Sequence, residues 1–256
     1  MAVLHINGLS VPCSGILFDK DGTLLDLLAT WGRWADLMLE GLGSMLTLID
    51  GRPASAAHLA HVLGTAHDSA GRVTGYDPAG PLPMATAEET TGILAWQLYT
   101  AGVPWNEAVM RVTALAKEAM AELRRRRTAV AVQGLLPFLA QCTAASVKLG
   151  VVTSDQSVTT LEQLEWLGLA GLFGTVVTRD RVKHGKPAPE MAELACRELG
   201  LLPEETVIIG DSNADMQLGK GAGLRLAVGI AADGDTAHLL DADIVITGYG
   251  QLRLTC

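Results

Sequence analysis

The sequence predicts an α/β protein: a parallel-sheet core that is interrupted, just after an early core strand, by a long α-helical insert. Three observations lead there. Short β-rich runs at 148–153, 175–178, 206–210 and 224–228 alternate with helical stretches near 157–167, 188–199 and 213–222, and a further run follows at 243–246. That rhythm belongs to parallel strands joined by helical crossovers. Far upstream, the apolar run 16–18 reads as a buried strand of the same sheet. Between the two, from about 27 to 132, the texture is helical.

The elements follow in order. Asn7-Gly8 separates apolar runs at 3–6 and 9–11, a strong signal for a two-residue hairpin that feeds the 16–18 strand. A helix over 30–39 carries Trp31, Trp34, Leu37 and Met38 along one face. A second helix is expected over 54–63. Glycines and prolines at 71–83 predict a loop. A third helix spans 86–98, with Glu88 and Glu89 in its first turn where acids favour the helix dipole. Pro104 opens a fourth, which runs to about 127.

The bulk properties narrow the partners. At 256 residues the chain is long enough to bury a proper core, and its net charge of −9 argues against nucleic acid and anionic membrane as partners. No apolar run approaches the length of a membrane span, and the first residues lack a signal peptide's basic start and apolar core. A cytoplasmic protein is expected. Cys13, Cys142, Cys196 and Cys256 are scattered without a Cys-x-x-Cys pair, so reduced thiols are expected. The sequence leaves the oligomeric state open.

The chemistry gathers at strand ends. The 16–18 strand runs into Asp19-Lys20-Asp21-Gly22, two acids at the carboxyl end of a buried strand, where open α/β sheets place their ligands. A calcium loop does not fit: the glycine comes too early, and the twelfth position from Asp19 is Thr30. Later strands end in Thr153-Ser154-Asp155 and Gly210-Asp211-Ser212-Asn213-Ala214-Asp215, and Lys186 lies in the segment Lys183-His184-Gly185-Lys186-Pro187-Ala188-Pro189. Acids so placed repel one another and call for a divalent cation, and oxygen-only ligands select magnesium over zinc. Cation, lysine and hydroxyl together suit phosphoryl transfer, with one carboxylate as nucleophile and another as proton shuttle. No Gly-x-x-x-x-Gly-Lys-Ser/Thr loop is present, which excludes a P-loop nucleotide machine.

Phe-Asp19-Lys-Asp21-Gly-Thr-Leu, Val-Val-Thr153-Ser, Gly-Lys186-Pro-Ala-Pro and Gly-Asp211-Ser-Asn-Ala-Asp215 resemble, in order, the four motifs of the haloacid dehalogenase-like hydrolase superfamily. The helical insert resembles the α-helical cap of its phosphoglycolate phosphatase-like branch. The resemblance implies a Rossmann-like core over 1–26 and 133–256 and a cap over 27–132 that closes to exclude water. It implies Asp19 as nucleophile, Asp21 as general acid and then base, and Thr153, Ser154 and Lys186 as phosphate holders. Asp19, the Asp21 carbonyl, Asp211 and Asp215 would bind magnesium. Members that are dehalogenases lack the second motif aspartate, which is present here as Asp21. The expected enzyme is a phosphoric monoester hydrolase acting on a small phosphorylated metabolite. A phosphosugar mutase and a non-catalytic binding protein on the same fold are the alternatives.

Other features have plainer readings. His58, His61, His67 and Asp68 suggest a metal, but lone histidines in an alanine-rich stretch are more simply surface or packing residues. Arg124 to Arg127 are favourable charge at a helix C-terminus. Trp31, Trp34, Trp96 and Trp105 are expected in the core of the insert, with Trp31 or Arg33 also able to face a substrate. Lys183 is expected at the surface, and Asp155 as the N-cap of the 157–167 helix.

Overall fold

The computed structural model describes residues 1–51, 56–232 and 234–255. The chain forms two compact units, Met1–Asp26 with Ala129–Cys256, and Leu27–Thr128. Residues 129–132, which the sequence reading places with the insert, belong to the first unit. Val132 N donates to Leu24 O at 3.0 Å and Asp26 N to Val130 O at 2.8 Å, so the returning chain is pinned to the outgoing one.

The first unit begins with β1 (Ala2–Ile6), β2 (Leu9–Cys13) and β3 (Gly15–Phe18). The expected hairpin joins β1 and β2, with Asn7 and Gly8 both at positive φ as a tight hairpin turn requires.

The second unit follows. Its first helix, α1 (Leu27–Asp50), outruns the expected 30–39. It passes through Gly41, where an added Cβ would lie 2.4 Å from the Leu115 side chain. Close packing thus outweighs the ~1 kcal/mol that glycine costs a helix interior. A 3₁₀ turn over Ala56–Leu59 leads into α2 (Ala60–Leu63), so the helix expected over 54–63 is two short turns, and residues 54 and 55 lie outside the described ones. The expected 71–83 loop instead contains structure. β4 (Thr65–His67) and β5 (Val73–Tyr76) pair antiparallel, and α3 (Pro81–Met84) follows. The buried Asp36 carboxylate of α1 accepts from Val73 N at 2.8 Å, which ties the hairpin down from outside its own sequence. α4 (Ala87–Thr100) starts with a Thr86–Glu89 capping box, and α5 (Trp105–Arg126) completes the unit.

Ala35, Met38, Leu39 and Leu42 of α1 pack with Leu94 and Leu98 of α4 and Ala108 and Val112 of α5. Trp34 packs partly against this core, but Trp96 and Trp105 are about half exposed and stack on Tyr99, which corrects the expectation that they are core. Helical geometry explains it: Trp96 is two residues from both inward-facing leucines and so lies on the other side of α4. His58 and His61 are exposed, while His67 bonds Thr65 Oγ1 at 2.8 Å and Gly71 O at 2.9 Å within its hairpin. Arg125 and Arg126 pair with Glu122 at the end of α5.

The first unit resumes with α6 (Leu135–Ala144), which the sequence reading did not mark. Its buried Leu135, Phe138, Leu139 and Cys142 keep helical spacing, but Pro137 in the first turn disguises it. Then come β6 (Lys148–Thr153), α7 (Ser157–Trp166), β7 (Thr175–Thr178), α8 (Glu190–Leu199), β8 (Thr206–Gly210) and α9 (Asn213–Gly221). β9 (Leu226–Ile230), β10 (Ile244–Ile246) and β11 (Leu252–Thr255) finish the chain.

β3 is central in a six-stranded parallel sheet of order β10-β9-β8-β3-β6-β7, the Rossmann-like arrangement expected. Successive side chains of β3 point to opposite faces. Ile16 and Phe18 join Phe138, Val151 and Ile209 in one cluster, while Leu17 joins Val152, Ile208, Met191 and Met216 in the other. Burial on both faces is what makes the strands continuously apolar. The hairpin does not enter this sheet: β1 and β2 form a separate antiparallel sheet with β11.

Buried Tyr249 stacks on Phe138 at 5.5 Å and donates from its hydroxyl to Thr23 O at 2.9 Å, holding the loop that leaves β3. Tyr249→Phe leaves that carbonyl unpaired and is expected to cost about 1–2 kcal/mol. Urea unfolding checks it: the midpoint falls with an unchanged slope, and an unmoved midpoint would contradict the role.

Candidate active site

Register brings the site residues together. Phe18 pairs with Val151 of β6 on one side and with Ile209 of β8 on the other. The residues just beyond, Asp19, Thr153 and Asp211, therefore emerge at one edge of the sheet. β3 stands where connections leave to both sides, the position at which open α/β sheets bind ligands.

Two glycines make room for the acids. Gly22 has φ +75°, and a Cβ there would lie 1.9 Å from Asp211 Oδ2. A Cβ at Gly210 would lie 2.4 Å from Asp215 Cγ. Each glycine is replaced in space by a carboxylate.

One carboxylate oxygen from each of Asp19, Asp211 and Asp215 lies within 4.8 Å of the others. Lys186, its side chain almost wholly buried, bridges Asp19 Oδ1 and Asp215 Oδ1 at 2.5 Å each. Asp215 Oδ2 is occupied with the start of α9, accepting from Ser212 N at 3.2 Å and Ser212 Oγ at 2.6 Å. Asp211 accepts from Thr23 Oγ1 at 3.3 Å, and among the described residues no cation pairs with it. Burial pushes Asp19 up to about 6 against the pull of Lys186, and Asp215 pushes in the same direction as burial. Asp211 is raised well above the carboxylate range by burial first, then by Asp19 and Asp215. Burial would lower Lys186, but Asp19 and Asp215 outweigh it and raise the ammonium's pKa. Three acids against one ammonium leave the cluster short of positive charge. With only oxygen donors on offer, it fits a hard divalent cation.

The other predicted residues divide. Thr153 is buried, and its Oγ1 accepts from Asp155 N at 3.2 Å, so its own proton stays available to donate. Ser154 is exposed at the same strand end, and Lys183 is exposed as expected. Asp21 does not join the acid cluster. Gly22 turns the chain, and the Asp21 carboxylate instead meets Lys20, with Oδ2 2.7 Å from Nζ. Asp155 is not the cap of α7, whose N-cap residue is Gln156. Its carboxylate is drawn inward, Oδ2 to 3.1 Å from Lys20 Nζ, while Asp180 Oδ1 accepts from Ser157 N at 3.1 Å at the helix start. Sequence reasoning gave the side chains of Lys20, Asp155 and Gln163 no part in the site. The available signal was a lysine set between two acids where a buried strand ends.

The fold and cluster together define a Rossmann-like α/β protein with a carboxylate–lysine site at its sheet edge. Residues 79–228 match the haloacid dehalogenase-like hydrolase family, and the chain belongs to it. Validoxylamine A 7'-phosphate phosphatase of Streptomyces hygroscopicus subsp. limoneus is 30% identical over 176 residues, which are 59% of this chain and 82% of that protein. Hexitol phosphatase A of Escherichia coli (strain K12) is 27% identical over 248 residues, 95% of this chain and 94% of that one. The crystal structure of a predicted phosphoglycolate phosphatase from Haemophilus somnus 129PT shares the fold, with a TM-score of 0.67 at 19% identity over 93% of this chain and 95% of that chain. The class expected from the sequence, a phosphoric monoester hydrolase, is the class to which its relatives' names point. Among the described residues no helix is long and apolar enough to cross a membrane.

Gly22→Ala forces a Cβ into left-handed backbone and into the Asp211 carboxylate. Left-handed strain alone costs about 1–2 kcal/mol, so a loss of at least about 2 kcal/mol in urea unfolding is expected. Unchanged stability would show that the loop and Asp211 shift freely.

Proposed function

We propose that this protein is a magnesium-dependent phosphatase that hydrolyses a small phosphorylated metabolite, a phosphoglycolate-like phosphomonoester, through an aspartyl-phosphate on Asp19. The observation that carries this reading is the acid cluster: Asp19, Asp211 and Asp215 converge at one sheet edge, with Lys186 bridging Asp19 and Asp215. Such a cluster suits a dianionic substrate only when cations offset its charge. The Asp19, Asp211 and Asp215 carboxylates and the Asp21 carbonyl would hold magnesium, with Asp215 direct or through water because Ser212 occupies one of its oxygens. Magnesium would neutralise phosphoryl charge and keep Asp19 ionised.

The chain's own groups then divide the work. Lys186 and the Thr153 hydroxyl hold phosphoryl oxygens, joined by Ser154 at the same strand end. An Asp19 oxygen attacks phosphorus. A bond from Asp19 to phosphorus forms as the ester P–O bond breaks, and Asp21 delivers its proton to the departing oxygen, releasing the alcohol. Water then attacks the aspartyl-phosphate while Asp21 takes its proton. The bond between Asp19 and phosphorus breaks, which frees inorganic phosphate and restores both acids. The substrate is proposed to be small, and the chain's net charge of −9 disfavours nucleic acid.

Phosphate release from a panel of small esters and an aryl phosphate tests the reading. Turnover is expected with magnesium and not with chelator, and Asp19→Asn is expected to lower kcat at least about 10³-fold. A folded protein that releases no phosphate, or one that yields more isomerised sugar phosphate than free phosphate, would contradict it. Magnesium at a hundred times its Kd is expected to stabilise the wild type by about 2.7 kcal/mol. That gain should be largely lost in Asp211→Asn, and an equal gain in both proteins would remove Asp211 from the metal site.

A further inference from the structure

Lys20 lies between the two acids in sequence, yet its side chain is fully buried. Lysine is almost never buried unless its charge is met, because taking an ammonium out of water costs several kcal/mol. Here it is met three times. Nζ lies 2.7 Å from Asp21 Oδ2, 3.1 Å from Asp155 Oδ2 and 2.5 Å from Gln163 Oε1. The Gln163 contact is a hydrogen bond and the two carboxylate contacts are ion pairs, which together hold Nζ in place.

Two of the three acceptors are anchored. Gln163 is fully buried in α7. Asp155 is held through its backbone, donating to Thr153 Oγ1 at 3.2 Å and accepting from Arg179 N at 3.0 Å, while its Oδ1 accepts from Gln156 N at 2.7 Å. The third partner, the Asp21 carboxylate, is about as exposed as that of Asp155, at 22% against 20%. Lys20 therefore ties Asp21 to the β6–α7 connection and to α7. Its Asp155 leg also touches Thr153, so the phosphate-holding hydroxyl and the Asp21 carboxylate refer to the same anchor.

We propose that Lys20, braced by Asp155 and Gln163, is a positioning residue that pins Oδ2 of Asp21 so that Oδ1 faces the leaving-group oxygen for proton transfer. This rests on the phosphatase reading above. Lys20 touches neither phosphorus nor the leaving group; it acts through Asp21. Its removal takes that bracing from the Asp21 carboxylate, and the loss falls on the step that needs a proton. Breaking the ester P–O bond of an alkyl phosphate puts negative charge on an alkoxide, which must receive the Asp21 proton. Breaking that of 2,4-dinitrophenyl phosphate releases a stable phenolate, which needs none.

The experiment compares kcat/KM for 2-phosphoglycolate and 2,4-dinitrophenyl phosphate in wild type, Lys20→Met, Asp155→Asn and Asp21→Asn, with magnesium present. The ratio of the two values is taken on the same sample, so any inactive fraction cancels. Because kcat/KM reports only steps through the first phosphoryl transfer, the later hydrolysis common to both esters does not enter. General acid–base groups contribute about 10²–10⁴-fold, so Lys20→Met is expected to lower the alkyl-to-aryl ratio about 10–100-fold. Asp155→Asn, which removes one leg, should shift it less and in the same direction, and it decides the matter alone if Lys20→Met does not fold. A ratio within twofold of wild type in these variants, with Asp21→Asn shifted, would overturn the Lys20 inference and leave the phosphatase reading standing. Wild type that hydrolyses neither ester would overturn both.

Discussion

The structure depends on one electrostatic constraint: three carboxylates gather at a sheet edge where a single ammonium bridges two of them. Lys186 bridges Asp19 and Asp215, and among the described residues no cation pairs with Asp211. Burying charge is expensive unless it is paired, so the fold must hold these groups where they would not choose to be. Raised carboxyl pKa values at Asp19 and Asp211 are the signature of that strain. A group carrying positive charge relieves it, which is why the cluster reads as a site rather than as a structural ion pair.

The scaffold meets the constraint with rigidity. β3 is buried on both faces, and its register with β6 and β8 sets where each acid emerges. Gly22 and Gly210 give up their side-chain volume to Asp211 and Asp215. Tyr249 reaches from the far end of the chain to hold the loop at Thr23. Lys20 performs on Asp21 the service that Lys186 performs on Asp19, one lysine for each acid of the first motif. Two acids that strand alternation alone would point together are thereby separated into different surroundings.

Much of this was legible in the sequence. The alternation of apolar runs and helices gave the parallel sheet, and motifs at the strand ends named Asp19, Asp211, Asp215 and Lys186, which the structure brings together. What escaped depended on distant partners. Asp155 reads locally as a helix cap, but a buried ammonium from β3's end outcompetes the helix for its carboxylate. The 71–83 segment reads as loop because its hairpin is held by Asp36 on another element. Trp96 and Trp105 were expected inside from helical spacing, whereas the leucines of α4 place Trp96 outside. α6 kept its spacing and was hidden by one proline.

The central claim is that Asp19 carries the phosphoryl group. The most direct measurement is acid quenching during turnover, borohydride reduction, and peptide mass spectrometry, since reduction of an acyl phosphate converts the aspartate to homoserine. The account predicts homoserine at position 19 and nowhere else. Turnover without modification at position 19, or with modification at Asp211 or Asp215, would contradict it.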